Sequence, residues 1–152
     1  MVAIRHTGRP LSDEDIARLE VRIGTRLPDS YRRFLQKNNG GRPPIHGDGI
    51  KIDYLPGEET DVQVFFGIDR SIESSNINWN LSVFKNRISD QLLPIACDSF
   101  GNLFCLSLSE QDYGSVVYCD FEPNNQLGEA IYYRVARDFD SFLEKIQSFE
   151  TN

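Results

Sequence analysis

The stretch that decides the fold is residues 92–108, LLPIACDSFGNLFCLSL. Two apolar runs, 92–97 and 103–108, flank the polar segment 98–102. The aspartate, serine, glycine and asparagine of this segment tolerate the unusual backbone angles of a tight turn. The pattern therefore predicts a β-hairpin, and we expect its turn to be structural rather than a binding site.

Downstream of the hairpin, the pattern continues as strands and ends in a helix. Residues 115–121 and 131–135 are predicted strands, separated by a polar loop at 122–129. Asp138 suits the cap of a final helix. The apolar residues of that helix share one face: Phe139, Phe142, Leu143, Ile146 and Phe149.

Upstream of the hairpin, the pattern is less regular. Residues 50–54 alternate between apolar and polar, which is the period of a half-buried strand, and residues 62–66 offer another strand. The apolar spacing within 81–88 predicts a short helix behind a cap at Asn78 or Asn80.

Two helices are predicted before the sheet. Ser12 and Asp15 have the spacing of a capping box, and Gly24 can end this first helix in a left-handed conformation. Pro28 can begin the second helix, because proline at the first helical position loses no needed donor. Residues 38–41, NNGG, end it.

The order of these elements predicts an α+β fold. It contains a meandering, mostly antiparallel sheet with a helical insertion. Helices with one apolar face bury it against a sheet, so we expect the N-terminal helix pair and the C-terminal helix to pack on one face. The length of 152 residues suits one domain, residues 1–152. Residues 1–11 are expected to form a loosely ordered arm.

The charge is distributed unevenly along the chain. Residues 1–42 carry nine Lys and Arg against five Asp and Glu, whereas residues 43–152 carry seven against eighteen. The formal charges are therefore +4 and −11, which give the net −7. An acidic body argues against a nucleic-acid ligand, because phosphate binding needs a basic surface. It suits a basic partner.

The composition indicates a protein of a reducing compartment. No apolar run approaches the ~20 residues of a membrane span, and the N-terminus lacks the apolar stretch of a signal peptide. The three cysteines are odd in number, show no C-x-x-C spacing and are expected to be buried free thiols: Cys97, Cys105 and Cys119. We predict a cytoplasmic location and no membrane partner.

No catalytic constellation stands out in the sequence. His46 and Asp48 form an H-x-D pair that could hold a metal, but no second cluster accompanies it. There is no G-x-S-x-G elbow, no H-E-x-x-H and no paired-cysteine zinc spacing. We therefore predict that the chain is not an enzyme and has no cofactor, although a triad assembled through space stays open.

Four segments together resemble the SUKH superfamily, which includes bacterial toxin-immunity proteins and yeast cell-wall-assembly regulators. Residues 26–41, RLPDSYRRFLQKNNGG, are similar to the family's N-terminal L-P … N-G-G motif. Residues 92–102, LLPIACDSFGN, resemble its L-x-P-I-x-x-D-x-x-G-N hairpin. Residues 114–122, GSVVYCDFE, and 138–143, DFDSFL, resemble its following strand and its closing helix.

The resemblance implies a protein-binding function. The chain is expected to be an immunity protein that binds and neutralises a cognate polymorphic toxin, with nucleases among the candidates. A regulatory or scaffold domain with cellular partners is the alternative. The partner is expected to have a basic surface, and the predicted partner-binding residues are five acids from the unmatched middle of the chain: Asp48, Asp53, Glu58, Glu59 and Asp61.

Overall fold

The predicted hairpin forms the middle of a five-stranded antiparallel sheet. The computed structural model describes residues 3–44, 49–121 and 130–150. The strands follow one another in chain order, so the sheet is the predicted meander. They are β3 (Val64–Phe65), β4 (Leu92–Cys97), β5 (Leu103–Ser107), β6 (Val116–Asp120) and β7 (Ile131–Ala136). Two earlier strands, β1 (Gly49–Lys51) and β2 (Glu59–Asp61), form a separate ribbon.

Both N-terminal helices begin and end close to the predicted positions. Helix α1 is Asp13–Ile23, with the complete capping box between Ser12 and Asp15 and a left-handed Gly24 at its end. Helix α2 is Asp29–Asn38, and Asn39 rather than a glycine adopts the left-handed conformation that ends it. These local signals are strong because each satisfies backbone groups that a helix terminus leaves unpaired.

The region before the five-stranded sheet differs from the prediction. Strands β1 (Gly49–Lys51) and β2 (Glu59–Asp61) form their own two-stranded antiparallel ribbon. The predicted strand 50–54 is therefore too long, because Tyr54 has a φ of 70° and lies in a turn. The predicted strand 62–66 shortens to β3.

The helical insertion also begins earlier than predicted. A 3-10 turn at Glu73–Ser75 precedes helix α3 (Ile77–Val83), and Asn80 lies buried inside the helix instead of capping it. The Asn80 amide donates to the carbonyls of Ser74 and Asn76 at 3.1 and 2.9 Å. This pairing explains why a polar residue is accepted at a buried helical position.

Aromatic side chains join the layers on both sides of the sheet. Helix α2 and the closing helix α4 (Phe139–Glu150) share one face, where Phe34 contacts Phe139 at 4.8 Å between ring centroids and Phe142 contacts Phe104 of β5 at 5.3 Å. Strand alternation places Phe121 on the opposite face. There it stacks on Phe84, which follows α3, at 5.3 Å.

The two ends of the described chain are tied to this body. The Asp138 carboxylate accepts from the Ser141 amide at 2.7 Å, as predicted for the cap of α4. Residues 3–11, which the sequence suggests as a loosely ordered arm, include Arg5, which exchanges two backbone hydrogen bonds with Arg42. None of the helices within the described ranges combines the length and apolar composition that crossing a bilayer requires.

Candidate functional site

The predicted partner-binding acids lie on the ribbon of β1 and β2. Asp53 and Glu58 belong to its connecting loop, 52–58, and Glu59 begins β2; all three are exposed. Asp61 ends β2 and is half-buried. Asp48 lies outside the described residues.

The connecting loop consists of two consecutive tight turns. The Leu55 amide donates to the Ile52 carbonyl at 3.3 Å, and the Glu58 amide donates to the Leu55 carbonyl at 2.7 Å. Ile52 and Leu55 are buried, so both turns are anchored in the core. In the second turn Gly57 takes the left-handed third position with a φ of 83°, as a Pro-Gly turn requires.

Tyr54 occupies the same left-handed third position in the first turn. Its φ is 70°, and 94% of the residue is exposed. A left-handed conformation at a bulky residue is uncommon, because the Cβ atom crowds the following carbonyl. The loop therefore holds a large aromatic side chain in solvent at a position that usually favours glycine or asparagine.

The β4–β5 turn, residues 98–102, is rigid for a different reason. One oxygen of the Asp98 carboxylate accepts from the amides of Phe100 and Asn102 at 3.0 and 2.8 Å. The Asp98 amide donates to the Asn102 carbonyl at 3.0 Å, and Gly101 has a φ of 86°. A turn whose amides are bonded in this way presents its outer side chains in a fixed geometry.

A buried polar network supports this turn from below. The second oxygen of Asp98 accepts from the hydroxyls of Tyr118 and Thr60, the latter at 2.8 Å. The Asn102 amide nitrogen donates to the Tyr118 oxygen at 2.9 Å, and the Phe121 amide donates to the Asn102 side chain at 2.8 Å. Two effects raise the pKa of Tyr118 well above its usual value: burial is the larger, and the hydrogen-bonded Asp98 carboxylate is the second.

Asp61 connects the ribbon to the hairpin turn. One oxygen of its carboxylate accepts from both the amide and the hydroxyl of Ser99 at 2.9 Å. Together with the bond from Thr60 to Asp98, this holds loop 52–58 and turn 98–102 on a common support. We call the loop, β2 and this turn the two-loop surface.

The two-loop surface displays acids and aromatic rings. Phe100, at the tip of the turn, is 68% exposed. Residues 51–61 carry four carboxylates against the single lysine Lys51, a formal charge of −3. The acids of this surface were predicted from the sequence as site residues, whereas Tyr54 and Phe100 were not, and the turn that carries Phe100 was expected to be structural only. The sequence did contain a signal for Phe100, because a large apolar residue is unusual among the polar residues of a tight turn.

A cavity of about 480 Å³ lies elsewhere, at the end of the sheet where β4 begins. It opens between the end of α1, the segment after α3 and β4. Its charged residues are Arg22, Lys85 and Asp90. Because both signs of charge line this cavity, it lacks the one-sided acidity of the two-loop surface.

The reactive side chains of the described residues are protected or dispersed. Cys97, Cys105 and Cys119 are free thiols, and the last two are buried with their sulfur atoms 3.7 Å apart. Burial, with a contribution from Asp98, raises the pKa of Cys97 to about 11. Within the described ranges no three His, Cys, Asp or Glu side chains are grouped so that they could hold a metal ion, and the predicted pair His46 and Asp48 lies outside them.

Comparison with known proteins finds similar sequences over most of the chain. The family model described as SMI1 / KNR4 family (SUKH-1) matches residues 10–145. The SPbeta prophage-derived uncharacterized protein YokK of Bacillus subtilis (strain 168) is 25% identical over 146 residues, which cover 87% of this chain and 72% of YokK.

Proposed function

Because this chain belongs to the SMI1/KNR4 family (SUKH-1), we propose that it is an immunity protein, which binds and neutralises a toxin protein. The family includes toxin-immunity proteins. The observation that supports this proposal is the exposure of Asp53, Glu58 and Glu59 on the rigid two-loop surface, and we propose that the toxin binds there. One similar protein, YokK, is described as prophage-derived.

The charge of this surface suggests how neutralisation works. A toxin that cuts nucleic acid needs a basic surface to hold its substrate. An acidic inhibitor can be steered to that surface and can occupy it, because complementary charges raise association rates. The partner of this chain is therefore a protein with a basic face, and nuclease toxins fit that description.

The polar groups of the family motif support binding rather than catalysis. The Asp98 carboxylate accepts four hydrogen bonds from within the chain, and Asn102 is engaged on both sides of its amide. A group saturated in this way is held as scaffold and is not free to meet a substrate. Cytoplasmic residence belongs to the same proposal, since three free thiols suit a reducing compartment.

Co-expression tests the proposed function. The protein encoded by the neighbouring gene is expressed as the candidate toxin, in cells with wild type or with a neutralised variant, Asp53→Asn, Glu58→Gln and Glu59→Gln. We expect wild type to restore growth and the neutralised variant to protect less at equal expression. Asp61 stays unchanged, because its bonds to Ser99 give it a structural role. Growth arrest despite abundant folded wild type would contradict the proposal.

A further inference from the structure

Tyr54 is displayed at a conformational cost that glycine at the same position would avoid. The following turn has the same pattern of hydrogen bonding and places Gly57 at the equivalent left-handed position. Glycine adopts this conformation without a steric penalty, whereas tyrosine does not. Non-glycine residues held in such conformations concentrate at binding sites, where the surrounding structure imposes them. Here the buried residues Ile52 and Leu55 anchor both ends of the turn that contains Tyr54.

Phe100 is a second aromatic ring on the same support. Its turn is fixed by the bonds of Asp98 and, through Ser99, by Asp61 of the ribbon. The ring is 68% exposed although the turn needs no apolar side chain at this position. Aromatic side chains on rigid loops lose little conformational entropy on binding, and they are over-represented among the residues that dominate interface energetics.

We propose that Tyr54 and Phe100 bind cationic side chains of the partner protein, with the arginine or lysine groups lying over the two rings. This inference rests on the proposed function, because it takes the partner to be the basic toxin. The face of an aromatic ring attracts a cation, and the neighbouring carboxylates supply the opposite charge beside it. The formal charge of −3 on residues 51–61 therefore complements the same groups that the rings would hold.

The chain contains an internal example of this contact. The Arg87 guanidinium lies over the rings of Phe84 and Phe121, 5.2 and 4.7 Å from their centroids. Both distances fall within the range at which a guanidinium is attracted to a ring face. Tyr54 and Phe100 offer comparable faces to an incoming protein.

Substitutions that separate aromatic character from apolar bulk test the inference. Tyr54→Phe and Tyr54→Leu both place an unbranched Cβ substituent at the same left-handed position, so their strain is matched. We expect Tyr54→Phe to bind the toxin domain identified by co-expression as wild type does. Tyr54→Leu should bind about tenfold more weakly, and Phe100→Leu should weaken binding similarly, since a cation–π contact contributes about this much.

Control variants at other exposed apolar residues define the background. Val21 on α1 is 82% exposed and Ile72 is 61% exposed, and both lie outside the two-loop surface. Val21→Ala and Ile72→Ala should bind as wild type does in isothermal titration calorimetry. Thermal unfolding of each variant checks that the fold is kept.

The outcomes separate this inference from the proposed function. If wild type binds and both leucine variants bind equally well, the aromatic inference is wrong and the proposed function stands. If Tyr54→Phe loses as much affinity as Tyr54→Leu, the ring face is not the determinant and the inference is also wrong. If folded wild type does not bind the toxin domain, the proposed function fails and this inference fails with it.

Discussion

The carboxylate of Asp98 should be one of the largest single contributors to stability in this chain. Asp98 is 1% exposed and accepts from Thr60, Phe100, Asn102 and Tyr118. In the Asp98→Ala variant, the Thr60 hydroxyl and the Phe100 amide can donate to solvent water instead, because they are only partly buried. The buried Asn102 amide and Tyr118 hydroxyl cannot.

The magnitude follows from those two stranded donors. A buried donor without a partner costs about 1–3 kcal/mol. With two such donors, Asp98→Ala should lower the free energy of unfolding by about 2–6 kcal/mol, a large part of the roughly 5–15 kcal/mol that holds a domain together. Urea unfolding followed by circular dichroism measures this loss as a shift of the midpoint.

Asp98→Asn provides the matched control, because it keeps the size of the side chain. Its amide oxygen can still accept from the Phe100 and Asn102 amides, and the Tyr118 oxygen can accept from its nitrogen. We expect a loss of about 1–2 kcal/mol, smaller than for alanine. If Asp98→Ala unfolded within about 0.5 kcal/mol of wild type, the range of an ordinary surface substitution, the structural role given to this network would be refuted.

Three further predictions concern local conformation, thiols and acid stability. Gly101→Ala should cost about 1 kcal/mol in urea unfolding, because φ is 86° although open space surrounds the added Cβ; no loss would contradict this strain. Iodoacetamide should label Cys97 before Cys105 and Cys119, and mass spectrometry should find all three labelled in urea; a native disulfide would show the thiol assignment to be wrong. The Arg9 guanidinium lowers the pKa of Asp15, so the free energy of unfolding should fall as pH drops below about 4. Asp15→Asn should reduce that pH dependence. An unchanged pH dependence in this variant would contradict the stabilising role of the Arg9–Asp15 pair.

The elements that sequence predicts best are those fixed by neighbouring residues. The capping box of α1 and the left-handed Gly24 are complete within a few positions of each other. The strands β4 and β5 are likewise set by two apolar runs around one polar turn. Such signals act through the backbone of the same segment, so distant contacts do not override them.

The elements that sequence predicts poorly depend on contacts between segments. Asn76 is the cap of α3, but its side chain accepts from the Arg70 amide at 2.7 Å and donates to the carbonyl of Arg70 in the loop before the helix. The cap therefore gives no capping-box signal, and the helix was predicted too late. Tyr54 continues an apparent strand alternation that the buried Leu55 and the following turn interrupt.

The candidate site shows the same division. Its acids are visible in the sequence, yet the role of Asp61 depends on Ser99, which is 38 residues away. No local pattern relates these two positions. The structure separates Asp61, which supports the surface, from Asp53, Glu58 and Glu59, which remain exposed upon it.

Association kinetics require a second variant that carries the same charge change at another place. Asp90, Glu73 and Glu110 are exposed and belong to neither loop of the two-loop surface. Asp90→Asn, Glu73→Gln and Glu110→Gln therefore remove three negative charges without touching that surface. Any effect of net charge alone would appear equally in this control variant and in the neutralised variant.

The rate of association with the toxin domain, measured by stopped flow at about 50 mM and about 500 mM salt, tests whether the exposed acids of the two-loop surface steer binding. Exposed charges steer association, and salt screens them within about 10 Å or less. Wild type and the control variant should associate quickly at low salt and about tenfold more slowly at high salt. The neutralised variant should be slow at both concentrations. A neutralised variant with the rate and salt dependence of wild type would show that Asp53, Glu58 and Glu59 do not steer binding.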